Sequence, residues 1–172
     1  MHIVIDGYNL IRQSRRLSAI EEVDLQAGRE ALVNALAAYR RLKPFRVTVV
    51  FDAGDAISGL PRRDRSKGIR LRYSAAGELA DDVIKRIIAR EKGGALVVSS
   101  DMEIVSFAEA KGAATISSVE FDERLEMAQY TDLKGTDDNG PDTGWQATTK
   151  KRGPSRRLPK RKRRMNKVIA KL

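Results

Sequence analysis

Four short apolar runs constrain what this chain can fold into. Ile3-Val4-Ile5, Val47-Thr48-Val49-Val50-Phe51, Ala95-Leu96-Val97-Val98 and Ala114-Thr115-Ile116 are short, mostly β-branched and followed by polar or turn-forming residues. Runs of this kind read as strands buried on both faces. Between them lie stretches with apolar residues at helical spacing. Residues 25–42 carry Leu25, Leu32, Leu36 and Tyr39 in a helix that Pro44 stops. Residues 78–90 form a second helix with Leu79, Val83, Ile84, Ile87 and Ile88 facing inward. A third follows Asp101 and stops at Gly112, and a closing helix spans residues 121–127. Ile69, Leu71 and Tyr73 alternate with Arg70 and Arg72, which predicts a half-exposed or edge strand. Strands alternating with helices imply an α/β fold: an open, mainly parallel sheet with helices on both faces. No internal repeat is evident.

Charge divides the chain differently. Its 172 residues hold 33 Lys+Arg against 23 Asp+Glu, a formal net charge of +10. Residues 1–149 carry 21 basic and 23 acidic residues, net −2, whereas residues 150–172 carry 12 basic residues and no acid. Residues 131–154 are rich in Gly, Asp, Asn, Thr and Pro, a composition too polar to offset chain entropy by burial. The expected organisation is a folded body over 1–129, a flexible linker over 130–155 and a basic, helical tail over 156–172. Trp145 is expected to dock on the body or on a partner. In the tail Met165, Val168, Ile169 and Leu172 recur at i, i+3, i+4 and i+7. Either this stripe packs back on the body, or the tail is an arm whose Arg156, Arg157, Lys160, Arg161, Lys162, Arg163 and Arg164 pair with RNA phosphates. The mutual repulsion of 12 like charges favours the arm.

Several classes are excluded. The absence of Cys removes disulfide and thiolate-metal frameworks, and one His cannot build a His-rich zinc site. No run approaches the ~18 apolar residues of a membrane span. No basic region precedes a longer apolar run at the N-terminus, so the expected location is cytoplasmic. The first predicted strand is not followed by Gly-x-Gly-x-x-Gly, and the chain lacks a Gly-Lys-Ser/Thr loop. Asp6-Gly7-Tyr8 lacks the second Asp of a phosphoaspartyl phosphatase, and His2 lies outside any triad.

The acids carry the functional signal. Asp6, Asp52 and Asp101 each lie just past the carboxyl end of a predicted buried strand, the edge where open α/β sheets bind ligands. Glu78, Asp81 and Asp82 stand at i, i+3 and i+4 and share one face of the helix predicted there. Up to six carboxylates could converge. Crowded carboxylates raise one another's pKa or recruit a cation, and oxygen-only ligation suits Mg²⁺ or Mn²⁺. Asn9, three residues after Asp6, is placed to hold Asp6 or a metal-bound water. Singly, each acid has a structural explanation: Asp81 and Asp82 suit a first helical turn, and Asp52 and Asp101 suit turn caps. Three acids at three strand ends plus a helix-start group exceed what turn chemistry requires.

Together these residues resemble the YacP-like NYN-domain family, PIN-like proteins that include ribosome-associated endoribonucleases. The resemblance rests on Ile3-Val4-Ile5-Asp6-Gly7-Tyr8-Asn9-Leu10-Ile11, Val49-Val50-Phe51-Asp52, Glu78-Leu79-Ala80-Asp81-Asp82, Val97-Val98-Ser99-Ser100-Asp101 and Ile116-Ser117-Ser118-Val119-Glu120-Phe121. It covers about residues 1–128. It implies a PIN/NYN-like nuclease fold and a metal-dependent endoribonuclease that uses Mg²⁺ or Mn²⁺. In that site Asp6, Asp81 and Asp101 match the acidic positions, Asp82 matches a second acid, and Asn9, Asp52 and Glu78 support them. Val105 stands where some relatives have a further acid, which leaves the number of metal ions open. RNA is the implied partner, with the ribosome a candidate for its setting. Arg62, Arg63, Arg65, Lys67, Arg70 and Arg72 crowd one segment suited to tracking an RNA backbone. Sparse aromatics, 5% of residues, argue against base reading by stacking. Two alternatives remain. One is a non-catalytic RNA- or ribosome-binding module using the tail; the other is a metal-dependent phosphatase of small phosphoesters, which gives the tail no purpose.

Overall fold

Backbone pairing joins the buried runs and the arginine-rich segment into one sheet. The computed structural model describes residues 1–52, 62–91, 93–134 and 160–172. The elements run β1 (His2–Asp6), α1 (Gly7–Gln13), α2 (Arg15–Glu21), α3 (Leu25–Leu42), β2 (Arg46–Phe51), β3 (Arg63–Ser66) and β4 (Ile69–Tyr73). They continue with α4 (Ala80–Glu91), β5 (Ala95–Val98), α5 (Met102–Ala110), β6 (Ala114–Ile116), α6 (Ser118–Lys134) and α7 (Lys160–Ile169). The strand order is β3-β4-β2-β1-β5-β6. Every pairing is parallel except β3 with β4. This is the mainly parallel α/β sheet that the alternating pattern implies.

Side-chain alternation along each strand divides the core between two faces. Ile3, Ile5, Val49, Phe51, Leu96 and Val98 share one cluster with residues of α1, α3 and α6. Val4, Val50 and Val97 turn the other way, toward α4 and α5. Both faces are therefore covered, which is why the strands read as continuous apolar runs.

The structure corrects several boundaries. β4 is one strand in from the edge, because β3 pairs with it as a hairpin. Lys67 at φ 49° and Gly68 at φ 82° form its two-residue turn; positive φ at both central positions is what a type I′ hairpin needs. The helix expected from residue 78 begins at Ala80; Leu79 precedes it and is 60% exposed, and Ile87 is only partly buried. α6 is longer than expected and runs past residue 129. Trp145, Arg156, Arg157 and most of the expected linker lie outside the described residues.

Helix α7 packs back on the body. Met165, Val168, Ile169 and Leu172 are partly buried against the core. Thr115 Oγ1 meets Met165 Sδ at 3.9 Å, Tyr39 donates its hydroxyl to the Leu172 carbonyl at 3.3 Å, and Lys43 Nζ donates to the Lys171 carbonyl at 3.2 Å. Arg163, Lys167 and Lys171 remain exposed. Packing and a solvent-facing basic surface thus coexist in one helix.

One glycine fits only as glycine. Gly7 opens α1 directly behind Asp6, where a Cβ would overlap the Phe51 ring and lie 2.9 Å from Val49 Cγ1. Phe51 cannot withdraw: it is fully buried, edge-on to Tyr8 and stacked on Tyr73. Gly7→Ala is expected to cost about 2–3 kcal/mol through overpacking. Urea denaturation measures this, and an unchanged midpoint would refute the packing argument.

Candidate active site

The strand order places a crevice where ligand sites form in such sheets. From β1 the chain moves to β2 on one side, and later returns to β5 on the other. The carboxyl ends of β1 and β5 therefore flank a topological switch point. Asp6 is the last residue of β1, and Asp101 follows β5 within three residues.

Both aspartates also start helices. Asp6 caps α1, its Oδ1 accepting from Asn9 N at 3.2 Å, while Ser99 Oγ donates to Oδ2 at 3.4 Å. Asp101 caps α5, its Oδ1 accepting from Glu103 N at 2.7 Å and Ile104 N at 3.3 Å. Asp101 N in turn donates to Ser99 Oγ at 3.1 Å, so Ser99 links the two acids. Asp81 lies in the first turn of α4.

The electrostatics show which acids meet. Burial pushes the Asp6 carboxyl up to about 6, and the Asp81 and Asp101 charges add to the rise against hydrogen bonds from Asn9 and Ser99. Burial also raises Asp81, with Asp101, Glu103 and Asp82 adding and Lys85 opposing. Lys85 is held by an ion pair with Glu103. Asp6, Asp81 and Asp101 thus share one electrostatic neighbourhood. They do not form a closed shell. Among the described residues no three His, Cys, Asp or Glu side chains sit close enough to enclose a metal ion.

The other residues singled out in the sequence take different positions around these three. Asp82 is exposed beside Asp81. Asp52 follows β2, where Ser74 Oγ donates to its Oδ1 at 2.7 Å. Glu78 precedes α4, so the shared helical face with Asp81 and Asp82 does not exist. It accepts from Ala75 N at 3.0 Å and pairs with Arg86, and these partners hold its carboxyl below the usual value. Its work is to close a turn.

Asn9 differs from expectation in an informative way. Its backbone N–H holds Asp6, while its side-chain Oδ1 accepts from Ser100 N at 2.9 Å and Ser118 Oγ at 2.6 Å. Ser118 N donates to Ser100 Oγ at 3.1 Å. Asn9, Ser99, Ser100 and Ser118 therefore stitch together the ends of β1 and β5 and the start of α6. The serines were not singled out for this role, although small polar pairs directly after two strands (Ser99-Ser100 and Ser117-Ser118) are a visible signal.

The basic segment is a strand pair rather than a loop. Its register sets Arg63 opposite Arg72 and Arg65 opposite Arg70. Ile69 and Leu71 are buried on one face of β4, so Arg70 and Arg72 point to the other. Like charges directly across a hairpin are destabilising. Arg72 is pushed down from the ordinary guanidinium value by burial, then by Arg63, Arg70 and Arg90. Arg62 lies beside β3, and Lys67 in the turn donates to Asn34 Oδ1. Of the tail residues, α7 begins at Lys160 and places Arg163 in solvent.

The open, mainly parallel sheet is a PIN/NYN-like fold, that of a nuclease-type class. The family model for the YacP-like NYN domain matches residues 3–168, and the chain belongs to that family. Among curated proteins, the uncharacterized protein YacP of Bacillus subtilis (strain 168) is 27% identical over 85 residues. That match spans 49% of each chain, about half the relative's length. The crystal structure of Rae1 (YacP) from Bacillus subtilis superposes with a TM-score of 0.67 at 23% identity, covering 79% of both chains. A tryptophan-to-leucine mutant of the same protein gives 0.62 at 22% identity, covering 76% of this chain and 77% of that one. At these identities the structures show a shared fold. No helix among the described residues is long and apolar enough to cross a membrane.

Proposed function

We propose that this protein is a metal-dependent endoribonuclease that hydrolyses RNA phosphodiester bonds in the cytoplasm, with ribosome-associated RNA as its candidate substrate. One observation carries the reading: a half-buried Asp6 shares the switch-point crevice with Asp81 and Asp101 in a chain of nuclease-type family.

The donor set fits a hard divalent ion. All three groups are carboxylates, and Mg²⁺ commonly keeps several waters while taking only one or two carboxylates, so an open arrangement suits it. A bound Mg²⁺ or Mn²⁺ supplies charge to polarise the phosphodiester and acidify a water. The chain's own residues do the rest. Asp6, Asp81 and Asp101 would hold the ion directly or through its waters, and Asp82, exposed beside Asp81, would orient the attacking water. Asn9 and the serines fix the two strand ends that carry Asp6 and Asp101. Asp52 and Glu78 support the surrounding turns. Arg63, Arg65, Arg70 and Arg72, with Arg62 and Lys67, hold phosphates and give position rather than sequence preference.

Asp81→Asn tests the assignment without altering a helix cap. Cleavage of single-stranded RNA in Mn²⁺ or Mg²⁺ is expected to fall by about 100-fold or more. Robust activity equal to wild type would remove Asp81 from the site. The exposed basic face of α7 favours a second reading, a non-catalytic RNA- or ribosome-binding module. Under it the wild type cleaves nothing while still binding RNA.

A further inference from the structure

The other side of the arginine hairpin closes a separate pocket. Between α3 and the β3–β4 hairpin lies a cavity of about 250 Å³, lined in part by Arg29, Lys67, Gln26, Glu30, Asp64 and Tyr73. Arg29 is only 8% exposed, and its Nε and Nη1 have no hydrogen-bond partner among the described residues. The nearby acids are otherwise engaged: Glu30 Oε1 accepts from Gln26 Nε2 at 2.8 Å, and Asp64 Oδ1 accepts from Arg65 N at 2.6 Å. No ion pair joins either to Arg29 among the described residues. A buried guanidinium whose Nε and Nη1 find no acceptor among the described residues is a place where a bound ligand would offset the cost of burial. An anion would supply acceptors for both nitrogens.

We propose that this pocket is a phosphoryl-binding subsite in which Arg29 and Lys67 hold the phosphate of a nucleotide. Arginine offers a planar fork of donors matched to phosphate oxygens, and Lys67, whose Nζ donates to Asn34 Oδ1 and keeps further donors, adds a second positive charge at the turn. The cavity suits a phosphoryl group and part of its nucleoside, being smaller than the ~300–1,000 Å³ of whole-ligand pockets. Tyr73 gives it an aromatic wall.

Its position links it to the acidic crevice. Tyr73 stacks on Phe51 with ring centroids 5.9 Å apart, and Phe51 meets Tyr8 at 5.2 Å, two residues beyond Asp6. The Arg29 charge acts on the Tyr8 and Tyr73 hydroxyls, which places it beside this aromatic row. A phosphate on Arg29 would thus lie along the same sheet edge as the scissile bond, on the α3 side. The inference deepens the nuclease reading and rests on it for the origin of the phosphate.

The test uses the full chain without divalent ions, so binding is read apart from cleavage. The probes are inorganic phosphate, AMP and a fluorescent single-stranded RNA decamer. Phosphate and AMP are expected to raise the thermal midpoint of wild type and leave that of Arg29→Gln unchanged. RNA affinity is expected to fall about 10- to 100-fold in Arg29→Gln and less in Arg29→Lys, as loss of charge-assisted hydrogen bonds implies. Weakened RNA binding assigns the subsite to internucleotide phosphates. A lost AMP response with unchanged RNA affinity assigns it to free nucleotides. Equal responses in wild type and Arg29→Gln, or no wild-type response to any probe, would overturn it. If Arg29→Gln does not fold, the exposed Lys67→Gln carries the same comparison, with equal probe responses again overturning the proposal. A nuclease reading that fails shows instead as absent wild-type cleavage, with these binding results standing.

Discussion

Asp6→Asn is expected to cripple RNA cleavage while making the metal-free protein more stable at neutral pH. Burial, and then the Asp81 and Asp101 charges, raise the Asp6 carboxyl to about 6 from an ordinary value of 3.8. The folded chain therefore holds this proton more tightly than the unfolded chain. Asp6 contributes its best stability when protonated, and stability falls as pH rises from about 4 through about 6. A rise of about two units corresponds to ~3 kcal/mol, which partial exposure of the group reduces to about 1–2 kcal/mol. Asparagine keeps the oxygen that accepts from Asn9 N, so the α1 cap survives while the charge goes. Urea denaturation at pH 7.5 without divalent ions should show Asp6→Asn more stable by about that amount, with the difference shrinking toward pH 4. Added Mn²⁺ should stabilise wild type and have little effect on the variant, since only the native wild-type site binds it. Cleavage should fall by about 1,000-fold. A variant less stable than wild type at pH 7.5 would mean that the Asp6 charge is already compensated.

Strand ends and helix starts explain which candidate site residues could be read from the sequence. Asp6 and Asp101 are legible because a carboxylate directly after a buried strand has little choice of position, and β1 and β5 fix both. Asp81 is legible because the first turn of α4 starts from Ala80. Glu78 misleads because the i, i+3, i+4 argument assumes helix throughout. Gly77 at φ 76° and the Glu78 bond to Ala75 N make a turn there instead. Asn9 has a legible position and a hidden partner: Ser118 is 109 residues away, and only tertiary structure brings them together.

The misses in the fold have the same origin. Arg-Asp-Arg-Ser in β3 has no apolar alternation, so periodicity cannot find it; β4's free edge and the turn at Lys67–Gly68 create the strand. Gly7 reads as a turn residue, yet it starts a helix, and the reason is the Phe51 ring behind it. Arg29 reads as one more polar residue on α3, and its burial, with Nε and Nη1 unpartnered among the described residues, depends on the hairpin folding over it. Local pattern reveals strand ends and helical stripes. It does not reveal what long-range packing does to a charged side chain.

The tail shows how one segment can serve two purposes, and the two can be separated by substitution. Val168 and Ile169 belong to the stripe packed against the core, and α7 lies beside β6, the outermost strand on its side of the sheet. Placing charges there with Val168→Asp and Ile169→Asp is expected to cost about 2–3 kcal/mol in urea denaturation, because apolar contacts are lost and buried charge is gained. Uncovering β6 should also promote concentration-dependent association through a free strand edge, visible by light scattering. The opposite face is separable. Replacing exposed Arg163, Lys167 and Lys171 by serine removes charge without touching the stripe, and stability should stay within about 0.5 kcal/mol of wild type. If those three residues each neutralise one phosphate, the slope of log affinity for RNA against log salt should shrink by about 2. A slope that does not change would remove these three residues from the RNA contact and leave it to the hairpin arginines or to the other basic residues of the tail. Stability that survives the two aspartates would show that α7 is not held to the sheet, and the arm reading would replace the packed one.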